Sequence, residues 1–232
     1  MIIDGRFTVA TADGGVEAGD QWDDLNAEAA DNPLMVTEYS ADIFTYMRQI
    51  EVSFLLFTIK NPLTYDGFSK QRCPTPCMYM DSQKELTWTL QGILVHWLVQ
   101  VHAYLGLMPE MLFLAVNVID RILSAHIVSL AKLLLVGITS LFMASKVEEV
   151  VSPPIVHFLN CTATSYTRDE MLQVEQYILK TLEWNLSYTN PIYFLQRVSR
   201  ADDHDVKART IAQYLIEISC LEWRLLSAPP SL

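Results

Sequence analysis

Ser129–Glu149 reads S-L-A-K-L-L-L-V-G-I-T-S-L-F-M-A-S-K-V-E-E, and its part Leu130–Ala144 carries a single charge, Lys132. That part is about 15 residues long, short of the roughly 18–20 that a membrane span requires. No membrane association is therefore expected. The run reads instead as a helix buried on all sides within a helical bundle. Ser129 caps it, and Lys146 closes it, where a cation suits the negative end of the helix dipole.

A helix buried all round needs amphipathic neighbours, and they lie on both sides in the sequence. Upstream, Pro109 starts a helix over about 109–124, with Leu112, Phe113, Val116, Ile119 and Leu123 inward. Before it, Gly106 stops a helix of about 86–104, with Ile93, Leu94, Trp97, Leu98 and Val101 inward. Downstream, Pro153-Pro154 opens a short helix ending near Leu159. Thr167 with Glu170 forms a capping box that starts a helix to about Leu182, with Met171, Val174, Ile178 and Leu182 inward. The pattern is all-α, with five helices between 86 and 182.

The flanks are less regular. Residues 1–31 are rich in Gly, Ala and Asp and are expected to be mobile. Asn32-Pro33 starts a helix over 32–51, with Met35, Tyr39, Ile43 and Met47 on one face. Residues 52–77 are expected to form an atypical loop or weak hairpin. Val52–Ile59 lacks helical period, and Asn61-Pro62, Asp66-Gly67 and Cys73-Pro74-Thr75-Pro76-Cys77 are turn signals. After Asn190-Pro191 come helices of about 191–199 and 206–221. Their apolar residues (Ile192, Leu195, Val198, Ile211, Leu215, Ile218) need a partner surface, so they pack back on the bundle or the chain is cut short.

Composition narrows the function. The chain has 232 residues, 51% apolar and 19% charged, with net charge −11. So much apolar content excludes a wholly disordered chain. The acidic balance argues against nucleic acid, because no basic stripe exists to displace counterions from phosphates. Met1–Gly19 has no basic start followed by an apolar run, so no secretory signal is read there. Four cysteines are too few for a disulfide scaffold, and a reduced, intracellular protein is expected. Cys73 and Cys77 lie four apart, but Cys161 and Cys220 stand alone, so no metal site is expected. The five histidines (His96, His102, His126, His157, His204) form no catalytic signature, and no phosphate-cradling glycine loop appears. No catalytic residue and no cofactor are therefore assigned. The adjacent carboxylates Glu148-Glu149 and Asp202-Asp203 point in different directions on a helix and read as solvated surface.

Two charges are more suggestive. Lys146 follows the most buried helix, and Glu175 sits among Val174, Ile178 and Leu179. A lone cation and a lone anion beside apolar surface suit the anchoring of a docked partner. The plainer reading is a mutual surface ion pair worth roughly 0–1 kcal/mol.

Several strings then point to a family. Val95–His102 reads V-H-W-L-V-Q-V-H, Phe113–Ser124 reads F-L-A-V-N-V-I-D-R-I-L-S, and Ala144–Glu149 reads A-S-K-V-E-E. Pro33–Val36, Glu38-Tyr39, Tyr79–Asp81 and Asn190–Arg197 fit alongside them. Over about 22–51 and 78–232 the chain resembles the B-type, mitotic cyclins, most of all the fungal ones. The resemblance implies a five-helix cyclin box (78–187) around a buried third helix, preceded by an N-terminal helix. The first two helices of an incomplete second cyclin fold (188–232) follow it.

The resemblance also implies function. Cyclins are not enzymes; they bind a cyclin-dependent kinase as a heterodimer and push its mobile αC helix inward. That completes the kinase's own Lys–Glu pair, for G2/M control in nucleus and cytoplasm. The family's kinase-contacting lysine and glutamate fall on Lys146 and Glu175, and the apolar part of that contact on Val147, Leu179, Trp184 and Leu186. A substrate-docking patch falls on Leu90, Ile93, Leu94, Trp97, Gln100 and Leu134. Gln100 stands where the family has an acidic residue, which weakens the charge contact. The alternative is a truncated cyclin acting only as an interaction module.

Three departures from the family stand out. Its M-R-x-I-L-V-D-W-L reads here Leu90-Gln91-Gly92-Ile93-Leu94-Val95-His96-Trp97-Leu98, so the arginine that pairs with a buried aspartate, here Asp120, is Gln91. A marginal bundle is expected. Residues 52–72 have no counterpart at that point and are compatible with a retained intron. No R-x-x-L follows any of the nine arginines, so the family's usual destruction signal is missing from this sequence.

Overall fold

A computed structural model of the chain describes residues 39–60, 76–163, 165–201, 205–225 and 231. Among them it holds eight α-helices and no strand. These are α1 (Ser40–Lys60), α2 (Trp88–Leu105), α3 (Pro109–Ala125), α4 (Leu130–Glu148), α5 (Ile155–Cys161), α6 (Arg168–Thr181), α7 (Pro191–Ala201) and α8 (Val206–Ser219). Two 3-10 turns, Pro76–Ser82 and Trp223–Leu225, complete the order.

Helix α4 is the axis of the bundle. It packs against α2, α3, α5 and α6, which is why its sequence is apolar all round. It runs three residues past Ser145, so Lys146 lies inside its last turn rather than beyond its end. At 19 residues it is longer than the run of about 15 read from the sequence and, by length and composition, long and apolar enough to cross a membrane, but 67% of its most apolar window is buried in the bundle. Its first turn is also capped differently from the sequence expectation. The Ser129 hydroxyl makes no cap bond, and the Leu130 N–H donates instead to Glu85 Oε2 at 3.0 Å.

Local signals set most boundaries. Thr87 caps α2 by accepting from the Leu90 N–H, and Gly106 ends it at φ 64°, a left-handed conformation that costs glycine nothing. Thr167 and Glu170 form a complete capping box at the start of α6. Two sequence expectations fail at the N-terminal side. The helix placed at 32–51 instead spans Ser40–Lys60, and its expected start at Asn32-Pro33 lies outside the described residues. Val52–Ile59, read as a loop, is helical. Nothing in that apolar run breaks a helix, which continues to the residue before Asn61-Pro62.

The core gathers Leu98, Met111, Ile119, Ile122, Ile138, Leu141 and Phe158, all essentially inaccessible. Phe158 anchors the short α5 against Phe142 of α4, ring centroids 5.2 Å apart and edge to face. Phe158→Ala is expected to cost about 3–5 kcal/mol, read by thermal or urea unfolding, because it leaves a cavity beneath the end of α4. A loss under 1 kcal/mol would show that α5 does not close the core.

The last two helices divide their roles. Helix α7 packs back on α3 and buries Ile192. Asn190 Nδ2 donates to the Glu110 carbonyl at 2.8 Å, and Thr189 Oγ1 donates to the Met47 carbonyl at 2.7 Å. Helix α8 packs on α7 but leaves Ile211, Leu215 and Ile218 exposed, and Val198 of α7 is exposed too. Four of the six residues expected to find a partner surface therefore lack one among the described residues.

Candidate functional site

The end of α4 and the middle of α6 bring Lys146 and Glu175 together. Lys146 Nζ donates to Glu175 Oε1 at 2.6 Å, with the lysine side chain 41% exposed and the glutamate 12%. Nζ also lies 4.1 Å from the centroid of the Phe142 ring, over its electron-rich face. The lysine is thus held from two sides while its remaining donors face water. Side by side, the charges offer a donor and an acceptor to a dipolar group such as a helix backbone. The mutual ion pair of the plainer reading also exists; it is part of the site's geometry.

Apolar residues follow each charge along the chain. Val147 is half exposed, and Val150, Val151 and Val156 stand out in solvent. Leu179, one turn after Glu175, packs on the core and remains partly open, as does Leu186. Trp184 is 69% exposed and sits at φ 61°, directly after Glu183 at φ 53°. Left-handed conformations cost non-glycine residues about 1–2 kcal/mol each. Here the Trp184 N–H bonds the Leu179 carbonyl at 2.8 Å, which holds the turn. Two residues in left-handed backbone thus present an indole to water rather than to the core. Sequence reading named Trp184 but not this backbone, since no glycine signals it.

Glu148 and Glu149 are not the solvated pair expected. Both are half-buried. Tyr193 OH of α7 donates to Glu148 Oε2 at 3.2 Å, and Gln196 Nε2 donates to Glu110 Oε1 at 3.2 Å. The Glu148 carboxyl is held above its usual range by burial, offset by the Tyr193 bond and raised further by nearby Glu110. These groups tie α7 to the ends of α3 and α4, beside Lys146. Asp202-Asp203 lies outside the described residues.

The second predicted patch is partly broken up. Ile93, expected inward, is 61% exposed, and Gln100 is exposed with Nε2 3.1 Å from His96 Nε2. Leu90, Trp97 and Leu134 are half-buried against the core. Leu94 is 4% exposed and belongs beneath the patch, not to it: a Cβ on Gly137 would come within 2.7 Å of its Cδ1. Leu90, Ile93, Trp97 and Gln100 form a stripe at helical spacing, so turning Ile93 outward carries Leu94 into the core.

Asp120 sits at the foot of the bundle. Tyr79 OH donates to its Oδ1 at 2.8 Å, and Gln91 Nε2 donates to the same atom. Burial raises its pKa to about 7, with the two hydrogen bonds acting against the rise. Arg121, its neighbour, is also buried, and burial lowers its pKa to about 10, so it stays charged at neutral pH. Sequence reading found the Gln91–Asp120 pair and missed Tyr79, 41 residues away from Asp120. Among the described residues no group of three or more His, Cys, Asp or Glu is placed to hold a metal ion. Cys73 lies outside the described residues, and Cys161 and Cys220 are free and half-buried.

Residues 65–187 match the family described as "Cyclin, N-terminal domain", and residues 189–232 match "Cyclin, C-terminal domain". The chain belongs to the cyclin family. Among its relatives is the G2/mitotic-specific cyclin cdc13 of Schizosaccharomyces pombe, 48% identical over 210 residues, which cover 90% of this chain and 40% of that one. The G2/mitotic-specific cyclin-B of Emericella nidulans is 41% identical over 99% of this chain and 46% of its own length. The G2/mitotic-specific cyclin-2 of Saccharomyces cerevisiae is 42% identical over 98% of this chain and 42% of its own length. This cyclin thus spans less than half the length of these relatives. A solved viral cyclin from herpesvirus saimiri shares the fold, with TM-score 0.61 at 18% identity over 78% of this chain and 76% of that one. The all-helical cyclin fold and the fungal mitotic-type resemblance read from the sequence agree with these matches.

Proposed function

We propose that this cyclin is the regulatory subunit of a cyclin-dependent protein kinase at the G2/mitosis transition, working in nucleus and cytoplasm, with no catalytic centre of its own. The observation that carries the reading is the Lys146–Glu175 pair, 2.6 Å apart at the end of the buried helix, with exposed Val147 next to Lys146 in the chain and exposed Trp184 just past the helix that carries Glu175. In this mechanism the apolar border supplies affinity and the two charges fix the register of the kinase helix. The seated helix completes the kinase's Lys–Glu pair, and phosphoryl transfer then takes place on the kinase. The stripe Leu90, Ile93, Trp97 and Gln100, with Leu134, is the surface for substrate docking, mainly apolar because Gln100 carries no charge.

A pull-down of the full chain from its source cell, followed by a histone phosphorylation assay, tests the reading. Capture of a cyclin-dependent kinase with phosphorylation is the expected result. Capture without phosphorylation would reduce the protein to an interaction module, and capture of no kinase would overturn the proposal.

A further inference from the structure

Between α4 and α5 the chain runs through Glu149-Val150-Val151-Ser152-Pro153-Pro154 with extended backbone at both ends: φ −85°, ψ 140° at Glu149 and φ −59°, ψ 144° at Pro154. Two prolines keep it out of the helix and remove two N–H donors. Val150 and Val151 stand almost fully in solvent. The segment is fastened at its ends, where the Glu149 N–H donates to the Ser145 carbonyl and the His157 N–H to the Pro154 carbonyl. Between those ends Ser152, half-buried, holds it through its hydroxyl.

That hydroxyl lies 2.8 Å from Ser145 Oγ. Ser145 is fully buried, and its own proton goes to the Phe142 carbonyl at 2.8 Å. A serine hydroxyl has one proton to give. The Ser152 hydroxyl has one other acceptor in reach, the Pro153 carbonyl at 3.4 Å, so both short contacts are satisfied together when Ser152 donates to Ser145. The contact sits one residue before Lys146.

We infer that Ser152, in the dipeptide Ser152-Pro153, is a phosphorylation site for a proline-directed protein kinase and that phosphate there releases segment 149–154 from α4. In the transfer the Ser152 Oγ–P bond forms and the bridging P–O bond to the γ-phosphoryl of a nucleoside triphosphate breaks. The hydroxyl proton passes to the kinase's base, and the nucleoside diphosphate leaves. The proton that Ser152 offered to Ser145 is gone, so the contact can persist only if Ser145 turns its own proton away from the Phe142 carbonyl. The phosphate adds about −1.5 to −2 of charge within four residues of Glu148 and Glu149, a like-charge setting that disrupts rather than docks. Lys146, the nearest cation in sequence, is already held by Glu175. The consequence for partner binding rests on the proposed function: Val150, Val151 and the end of α4 shift, and kinase seating weakens about tenfold or more.

The test uses the full chain carrying Thr75→Ala, which removes the other Ser/Thr-Pro dipeptide of the sequence. It is incubated with a proline-directed kinase that needs no cyclin and labelled ATP. Label is mapped by tandem mass spectrometry, with Ser152→Ala as control. Stoichiometric label on Ser152, faster hydrogen exchange over 149–154 and weaker kinase binding by Ser152→Glu are expected. No label on Ser152, or label with unchanged exchange, overturns the inference. If the unmodified chain binds no kinase, the proposed function fails, while labelling and exchange still decide this site.

Discussion

Lys146→Ala combined with Glu175→Ala is expected to abolish activation of the partner kinase while moving the melting midpoint of the cyclin very little. The two halves of that result have different physical origins. As an internal ion pair, with the lysine 41% exposed, the contact is worth roughly 0–1 kcal/mol to the fold. As a seat for a partner helix, each charge is desolvated by the complex and bordered by apolar surface, the setting of binding hot spots worth about 2 kcal/mol or more. Two such losses weaken binding on the order of a thousandfold. The charge-swapped variant, Lys146→Glu with Glu175→Lys, separates the two roles. It keeps an attractive pair within the cyclin but reverses the dipole shown to the partner, so stability should be retained and activation lost. Full activation by the swapped protein would mean that the pair serves only the fold.

The second large effect concerns the bundle. Gln91→Arg is expected to raise the melting midpoint by roughly 5 °C at pH 8 and by clearly less at pH 5. Gln91 fits its site only halfway. Its Nε2 donates to Asp120, but its Oε1 is buried with no hydrogen-bond partner among the described residues. An arginine brings donors only, and a full charge to match the carboxylate. The pH dependence follows from the Asp120 carboxyl, raised from 3.8 to about 7 chiefly by burial. The folded state holds that proton more tightly than the unfolded chain does. The stability linked to it is complete below about pH 4 and is lost as pH climbs through about 7, a total of about 4 kcal/mol. At pH 8 the carboxylate is buried with no paired cation among the described residues, and the arginine helps most. At pH 5 Asp120 is still protonated in the fold, and it helps least. A midpoint unchanged at both pH values, or raised equally at both, would contradict this picture.

What the sequence revealed, and what it hid, follows from how local each signal is. The end of α2 and the starts of α3 and α6 rest on Gly106, Pro109 and the Thr167–Glu170 box, all local signals, and they were legible, whereas the Thr87 cap that starts α2 at Trp88 was not picked out. The central position of α4 was legible because no amphipathic stripe could explain it. The orientation of Ile93 was not, because α2 is apolar on nearly every side and its period does not choose a face. The helix over Val52–Ile59 was hidden for the same reason, and the turn signals after it drew the boundary too early.

The site shows the same division. Lys146 and Glu175 stand out as charges among apolar neighbours, so they were found, whereas their 2.6 Å approach needs two helices packed side by side. Tyr79 at Asp120, Tyr193 at Glu148 and the left-handed turn before Trp184 are products of packing, with partners 41 and 45 residues apart in the first two cases. No short motif announces them.

The most direct test of the site is photo-cross-linking from position 147. Val147 follows Lys146 and is half exposed, so a photoreactive side chain there reports what sits on the seat without removing either charge. In the complex with its kinase the expected product joins position 147 to the kinase's mobile αC helix, while the same label at Ile93 joins no part of that helix. A complex that activates the kinase yet gives no cross-link from position 147 to αC would contradict the account.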